Sequence, residues 1–288
     1  MTARRPPLSG AAAASSLAGT LDRVGALVSY LKADIGPVEC TRPGPDARTV
    51  EDGLWLSCQD LVSDGTWLGQ VIEATGRAIG TDDPVVAASI FVQGYAYRLA
   101  VLAVACLTVG GVVPGAEPET MAVGLGRGRV SKVAYLEPTV FDLFEGHPPA
   151  EALGEPSAAD RALTLLLEQV VELHLRPLIA LTREQVRIGE RLLWGNVAAS
   201  ASTAFRTMEG CQGQWVTPLG ERFFALAPSE LQGLGSFLSM ESNGQRGWYW
   251  ERTNCCLFYQ IEGHAKCSDC SLTPADQRRA AYEASLSG

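Results

Sequence analysis

Pro84-Val-Val-Ala-Ala-Ser-Ile-Phe-Val-Gln93-Gly-Tyr95-Ala-Tyr97-Arg98-Leu-Ala-Val-Leu-Ala-Val-Ala-Cys106-Leu107 is the stretch on which the reading of this chain turns. Residues 85–113 are apolar for long enough to suggest a membrane span. Gln93, Tyr95, Tyr97 and Arg98 sit at the centre of that run, however, and an arginine alone costs about 2.5–3.5 kcal/mol at the middle of a bilayer. The run therefore reads as a helix buried in the core of a soluble protein, with no transmembrane segment. Asp82 or Asp83 can cap it, and Pro84 suits its first turn.

Working outward, residues 121–136 change character. Ala122, Val123, Leu125, Val130, Val133 and Tyr135 are interrupted by Gly124, Gly126 and Gly128, which predicts a β-hairpin. The Gly-x-Gly-x-Gly run imitates a dinucleotide loop, but that fingerprint requires a preceding strand, a following helix and a βαβ unit, and none is evident. Residues 157–182 form the clearest helical region, kinked or divided by Pro177. Residues 184–208 predict another helix, and 229–240 a short one. On the N-terminal side, residues 50–79 predict one or two helices broken near Ser63-Asp-Gly65. Leu17, Leu21, Val24, Leu27, Val28 and Leu31 follow the three-four spacing of one helical face. Gly36-Pro37 ends that helix and Thr41–Arg48 is a loop. Residues 247–261 are aromatic and β-branched, predicting strand pairing, and Thr273-Pro274 opens a last polar helix. The expected fold is mainly α with a small β component (α+β). Its expected segments are a tail and first helix over 1–48, a helical substrate-binding body over 49–246, and a C-terminal cluster-binding segment over 247–288.

Composition limits the chemistry. A chain of 288 residues with 47% hydrophobic residues can bury a substantial core. The net charge of −9 speaks against a nucleic-acid partner, because phosphate binding needs a basic surface. Arg4-Arg5 before an alanine-rich stretch faintly imitates a twin-arginine signal. That stretch lacks Leu, Ile and Val and is broken by Pro6 and Pro7, so it reads as a disordered tail. Cys40, Cys58, Cys106 and Cys211 lie singly in the chain and read as small buried hydrophobes in a reducing compartment. Cytoplasmic localisation follows as the expectation.

The other four cysteines are concentrated. Cys255-Cys256, ten residues, then Cys267-Ser-Asp-Cys270 place four soft donors within sixteen positions, a set that selects Fe–S clusters, zinc or Cu(I). A disulfide between adjacent cysteines would be strained. Structural zinc usually uses two C-x(2–4)-C knuckles, and only Cys267/Cys270 forms one. Adjacent side chains on an extended segment point apart, so Cys255 and Cys256 reach a two-iron cluster more easily than one small ion. Iron–sulfur leads, and zinc stays open.

The spacing Cys-Cys-x10-Cys-x2-Cys resembles the FhuF-type ferric-siderophore reductases. Its flanks, Arg252-Thr-Asn before and Leu-Phe-Tyr259 after the first pair, Lys266 before and Ser-Leu272 after the second, fit as well. Leu193-Trp194-Gly195-Asn196-Val197-Ala198 is similar to a recurrent segment of that family. The resemblance covers roughly residues 50 to 288. It implies a 2Fe–2S cluster held by Cys255, Cys256, Cys267 and Cys270, which would serve as cofactor ligands, metal ligands and redox centre together. It also implies one-electron reduction of siderophore-bound Fe(III), with a ferredoxin or ferredoxin reductase as donor. The helical part of the family is distantly similar to siderophore-synthesis enzymes, but no nucleotide motif here supports ligase chemistry.

Further residues have two readings each. Arg98, with Gln93 and Tyr97, either lines a substrate pocket or pairs structurally with a carboxylate. Arg127, Arg129 and Lys132 form a basic cluster that could attract an anionic ligand or an acidic donor protein, or simply be solvated. His174 reads as packed core, His147 as a loop residue, and His264 as either a solvated loop histidine or a hydrogen-bond donor to the cluster. Trp248, Tyr249 and Trp250 are strand core or a wall that excludes water. A cluster-bearing redox sensor or electron carrier, and a zinc-stapled binding protein, are the competing functional classes.

Overall fold

The computed structural model describes residues 6–41, 53–127, 129–144, 148–242 and 244–286. Leu8 pairs with Val140, after which α1 (Gly10–Leu27) begins in the alanine-rich stretch. This corrects the reading of that stretch as a tail. Alanine has the highest helix propensity of any residue, and Ala13 and Leu17 are fully buried against the core. Leu27, assigned to the apolar face from spacing, is instead the exposed last residue of the helix. Short β1 (Ala33–Ile35) and β2 (Trp55–Ser57) precede α2 (Cys58–Ser63) and α3 (Gly65–Ile79). The break expected near Ser63-Asp-Gly65 is there, made by the Asp64 side chain, which caps α3 by accepting from Trp67 N–H at 3.0 Å. Trp55–Ser57 of the same run form strand rather than helix.

α4 (Pro84–Ala105) is the axis of the molecule. Asp83 caps it, accepting from Val85 N–H at 2.8 Å, with Pro84 in the first turn. The helix is apolar all round, as a helix enclosed by protein must be, and continues through a π-helical turn over Cys106–Gly110. It is the one helix among the described residues long and apolar enough to cross a membrane, and 78% of its most apolar window is buried inside the fold. Next come β3 (Val112–Pro114), the predicted hairpin β4 (Met121–Gly126) and β5 (Arg129–Tyr135), and β6 (Val140–Asp142). The sheet order is β1-β5-β4-β2, with β1 parallel to β5 and a register shift at Gly124/Leu125, and β3 pairs with β6. β5 packs on α4, which brings the hairpin's tip beside that helix.

After α5 (Pro149–Ala152), one long helical rod runs from α6 (Pro156–Leu166) to α7 (Arg176–Gln185). Pro177 does not divide it. The segment Leu167–Leu175 is π-helical, Arg176 N–H reaching back five residues to Val171, and the proline falls in the first turn of α7, where it is tolerated. α8 (Glu190–Gln212) packs along α4 and α9 (Thr217–Leu226) covers α6. The helix expected over 229–240 is a single 3-10 turn followed by β7 (Gly235–Ser242), which pairs antiparallel with β8 (Gln245–Arg252). The last element is α10 (Ala275–Leu286). The fold is mainly α with small sheets. Cys58 and Cys106 are buried as expected; Cys40 and Cys211 are exposed, a correction, because Cys40 lies in a loop held by a single bridge to Trp55 and Cys211 lies in the last turn of α8. The Arg4-Arg5 pair, most of the Thr41–Arg48 loop, Gly128 and His147 lie outside the described residues.

Candidate metal centre and the adjoining cleft

Strand alternation in β8 divides its aromatic residues between two faces. Trp248 and Trp250 pack with Phe237 of β7 at ring-centroid distances of 4.5 and 5.1 Å, and Phe224 of α9 stacks on Trp250 at 4.4 Å. Tyr249 faces the other way and stacks on Tyr282 of α10 at 4.0 Å. The strand ends at Arg252, whose side chain is buried although it carries a charge. Its Nη2 donates to Asn196 Oδ1 at 2.9 Å. Asn196 Nδ2 donates to the Ser89 carbonyl and to Ser89 Oγ, and the Ser89 hydroxyl donates to the Cys256 carbonyl at 2.7 Å. One buried polar chain thus joins α4, α8 and β8 to the first cysteine pair. Removing any member would strand its neighbours in the interior, at about 1–3 kcal/mol for each group left unpaired.

The loop leading into the cysteines lies directly on α8. Asn254 Nδ2 donates to the Leu192 carbonyl, and a Cβ at Gly195 would collide with the Asn254 amide. The chain then turns at Leu257, which adopts a left-handed φ of 67°, a conformation that costs a non-glycine residue energy and persists only where its surroundings enforce it. The turn aims two amides back at sulfur: Leu257 N–H donates to Cys255 Sγ at 3.3 Å, and Phe258 N–H supports Cys256. The four thiols interact in two nested pairs, Cys256 with Cys267 and Cys255 with Cys270. The neighbouring Cys267 thiol, the Phe258 amide and the Arg252 charge lower the Cys256 pKa to about 6 against the opposing effect of burial. Burial raises Cys255, and the interaction with Cys256 raises Cys267.

This donor set fits a two-iron cluster. It offers four sulfurs from two chain segments, amide N–H groups directed at sulfur, and a buried cation whose Nε and Nη1 have no hydrogen-bond partner among the described residues. Asp269 Oδ2 lies 4.0 Å from Nη1, beyond hydrogen-bond distance; anionic sulfur would satisfy both donors. Among the described residues no group of three or more histidine, cysteine or carboxylate side chains is set to hold a single metal ion.

A cavity of about 410 Å³ opens against this corner. Cys256 and Cys267 line it; Cys255 and Cys270 do not. Its walls come from α4 (Ile90, Gln93), α8 (Ser200, Thr203, Arg206) and the tryptophans of β8, so Trp248 and Trp250 are both strand core and cavity wall. A second cavity of about 540 Å³ shares Gly94, Tyr97 and Arg129 with the first and is lined further by Arg98, Arg127 and His264. Among the described residues Arg98 has no carboxylate partner within ion-pair distance. Its Nε donates to the Val130 carbonyl at 3.3 Å and its Nη1 to the Tyr30 carbonyl at 3.4 Å, and its guanidinium lies 5.9 Å from the rings of Tyr30 and Tyr97. His264 is exposed and packs on the Phe258 ring at 4.5 Å. His174 lies elsewhere, in the core, between Tyr95 Oη and the Ala116 carbonyl.

Sequence reasoning brought the four cysteines together correctly and identified Asn196 as part of a recurrent segment, but it missed the role of Arg252. The available signal was an arginine closing an aromatic strand three residues before the cysteine pair. Arg206 left no signal in the sequence, since it is one more charged residue on an otherwise apolar and small-residue helix.

Comparison with known proteins places this architecture. The family described as ferric iron reductase FhuF-like transporter matches residues 89–246, and the FhuF 2Fe-2S C-terminal domain matches residues 252–272. Among solved structures, aerobactin synthetase IucC from a hypervirulent pathotype of Klebsiella pneumoniae aligns at 18% identity with a TM-score of 0.47. That alignment takes in 76% of this chain but 43% of the synthetase, so the chain spans less than half of that enzyme's length. No curated protein matches significantly. The first match runs from α4 to β8 and the second contains all four clustered cysteines: the chain belongs to the ferric iron reductase FhuF-like family and carries its C-terminal 2Fe–2S domain.

Proposed function

We propose that this protein reduces siderophore-bound Fe(III) to Fe(II) by one electron and so releases iron in the cytoplasm. The observation that carries this reading is the position of Cys256 and Cys267 in the wall of the 410 Å³ cavity, where a chelate can come directly against the redox centre. Cys255, Cys256, Cys267 and Cys270 are the proposed ligands. A 2Fe–2S cluster, when bound, stores and transfers single electrons, which suits an Fe(III)/Fe(II) couple. The residues do the rest. α4 and α8 form the walls that seat the chelate, the tryptophans of β8 exclude water, and Arg252 with Asn196 fixes the cysteine loop. Hard oxygen donors hold Fe(II) more weakly than Fe(III), so reduction becomes release. No proton transfer or nucleophile is needed. The electron is supplied from outside the chain, by a ferredoxin or a ferredoxin reductase. A carrier or sensor would have no need of a cavity opening onto its thiols.

The test is an anaerobic visible-absorption and EPR titration with dithionite, followed by addition of a ferric siderophore and an Fe(II)-trapping dye. Oxidation of the reduced protein, matched mole for mole by trapped Fe(II), supports the reductase. A cluster that stays reduced in the presence of the chelate favours a carrier or sensor, and a colourless zinc protein overturns the reading. Cys255→Ser should lose the cluster and the activity together; a fully active variant would exclude the proposed ligation.

A further inference from the structure

The two cavities form one cleft whose charge is opposite to that of the chain. The protein carries a net charge of −9. Yet Arg206 lines the first cavity, Arg98 and Arg127 the second, and Arg129 both. They come from three separate elements: Arg98 from α4, Arg127 and Arg129 from the hairpin tip, and Arg206 from α8. Against them stands a single carboxylate in the lining, Asp269, which lies 4.0 Å from the buried Arg252 Nη1. Glu209, one turn along α8, is within electrostatic range of Arg206; it accepts from Thr217 and lines, together with Arg206, a third cavity rather than the first. Arg129 and Arg206 form no ion pair among the described residues. Their guanidinium groups lie over the rings of Phe258 and Tyr249, at 5.6 Å each.

Four arginines converging on one cleft repel each other, and each exposed one costs side-chain entropy when ordered. A cleft of one sign between low-dielectric walls concentrates ligands of the opposite sign. Planar guanidinium groups over aromatic rings suit oxygen-bearing anions and flat π-systems alike. Starting from the reductase reading, we infer that the substrate is a polyanionic ferric chelate. Its iron is held by catecholate or carboxylate oxygens, and Arg129 and Arg206 grip it across the cavity that Cys256 and Cys267 line. Arg98 and Arg127 extend the grip into the second cavity. An uncharged tris-hydroxamate chelate has no charge to set against Arg129 and Arg206 and binds more weakly.

Gallium(III) chelates test this, because gallium has the size and charge of Fe(III) and accepts no electron here. Quenching of tryptophan fluorescence on the cluster-loaded protein reads occupancy, since Trp248 and Trp250 line the cavity. Three probes are used: a gallium tris-catecholate, a gallium citrate-type hydroxamate bearing free carboxylates, and an uncharged gallium tris-hydroxamate. We expect one or both anionic probes to bind at least tenfold tighter than the uncharged one. Arg129→Ala and Arg206→Ala should each weaken the anionic probes about tenfold, the scale of one charge-assisted contact, and leave the uncharged probe unchanged. Both side chains are exposed on their elements, and Arg129→Lys and Arg206→Lys should recover much of the loss. Added salt should weaken anionic binding only. Equal affinity for all three probes, no binding of any, or arginine variants indistinguishable from the parent would each overturn the inference. The outcome is separable from the reductase reading. Charge-selective gallium binding without reduction of the iron chelate would sink the reductase and spare the site, whereas reduction without charge selectivity would do the reverse.

Discussion

Arg252 concentrates the argument at the scale of one residue. A guanidinium 2% exposed, with two of its donors making no hydrogen bond among the described residues, is costly unless anions lie beside it; Asp269, 4.0 Å from Nη1, is one, and it leaves Nε unmatched. Cys256 feels its charge directly. A cation at this position stabilises whichever form of a neighbouring redox centre carries more negative charge, which is the reduced form. Arg252→Gln should therefore lower the reduction potential of the bound cluster, by on the order of 50 mV or more for a buried unit charge at short range. Arg252→Lys should retain much of the original value if it reaches Asn196. A potentiometric titration followed by EPR measures this. An unchanged potential in a glutamine variant that keeps its cluster would show that the orphan donors face something other than the cluster. The sequence did not announce this residue, because an arginine at a strand end is ordinarily solvated. Only the placement of Asn196 opposite it reveals a buried cation. The four cysteines were legible for the opposite reason: adjacency and the x10-x2 spacing have few other uses.

At the scale of elements, legibility followed how local the cause was. α4 could be read because a continuous apolar run with a polar centre and an Asp-Pro start is self-sufficient information. The β4–β5 hairpin was equally plain from alternation and glycines. β7 was misread as helix because its residues owe their conformation to a partner strand farther along the chain: Phe237 and Leu238 are extended only because Trp250 and Tyr249 pair with them. The alanine-rich start of α1, before Leu17, was read as tail because its buried contact, at Ala13, is made by a small side chain. Two predictions belong to this scale. Gly195 lets Asn254 lie against α8, so Gly195→Ala should push the cysteine loop off its platform. Alanine favours the helix itself by up to about 1 kcal/mol, so the fold of the body should survive while iron content falls severalfold. A variant with full iron would show that the loop is not positioned by α8. The second concerns the link between α4 and the π-helical segment 167–175. His174 is fully buried between Tyr95 Oη (2.6 Å) and the Ala116 carbonyl (2.7 Å), and burial lowers its pKa to about 4. The unfolded chain takes up a proton near pH 6.5 and the native state only near pH 4, so stability is lost as pH falls through that window. Denaturant unfolding should show about 2 kcal/mol less stability at pH 5 than at pH 7 from this group. His174→Gln should flatten the slope even if it lowers stability overall.

For the whole molecule, the distribution of backbone pairing separates a body that holds itself together from a corner that does not. The body has one continuous hydrophobic core running from α1 to β8, with α4 and α8 at its centre. Residues 253–272 contribute little to it. Apart from the Thr253 N–H bond to the Leu234 carbonyl at the start of the segment, their main-chain bonds are turns: Gln260 to Leu257, His264 to Ile261, Cys270 to Cys267, Thr273 to Cys270. A separate small apolar cluster of Val86, Ile90 and Ile261 anchors the loop on α4, and Asn254 anchors it on α8. Such a segment buries too little apolar surface to offset its own ordering entropy, and thiol ligands brought together only by folding convert metal-binding energy into local stability. Removing iron should therefore free the corner and leave the body intact. Hydrogen exchange of the iron-stripped protein should show amides 255–270 exchanging orders of magnitude faster than in the loaded protein. Those of α4 and α8 should keep their protection, and the thermal midpoint of the body should shift little. If protection were lost throughout, the cluster would be a staple of the entire fold and the body would not be self-sufficient. If the loop kept its protection without iron, the buried chain from Ser89 through Asn196 to Arg252 would hold it unaided. The redox corner would then be assembled before its metal arrives.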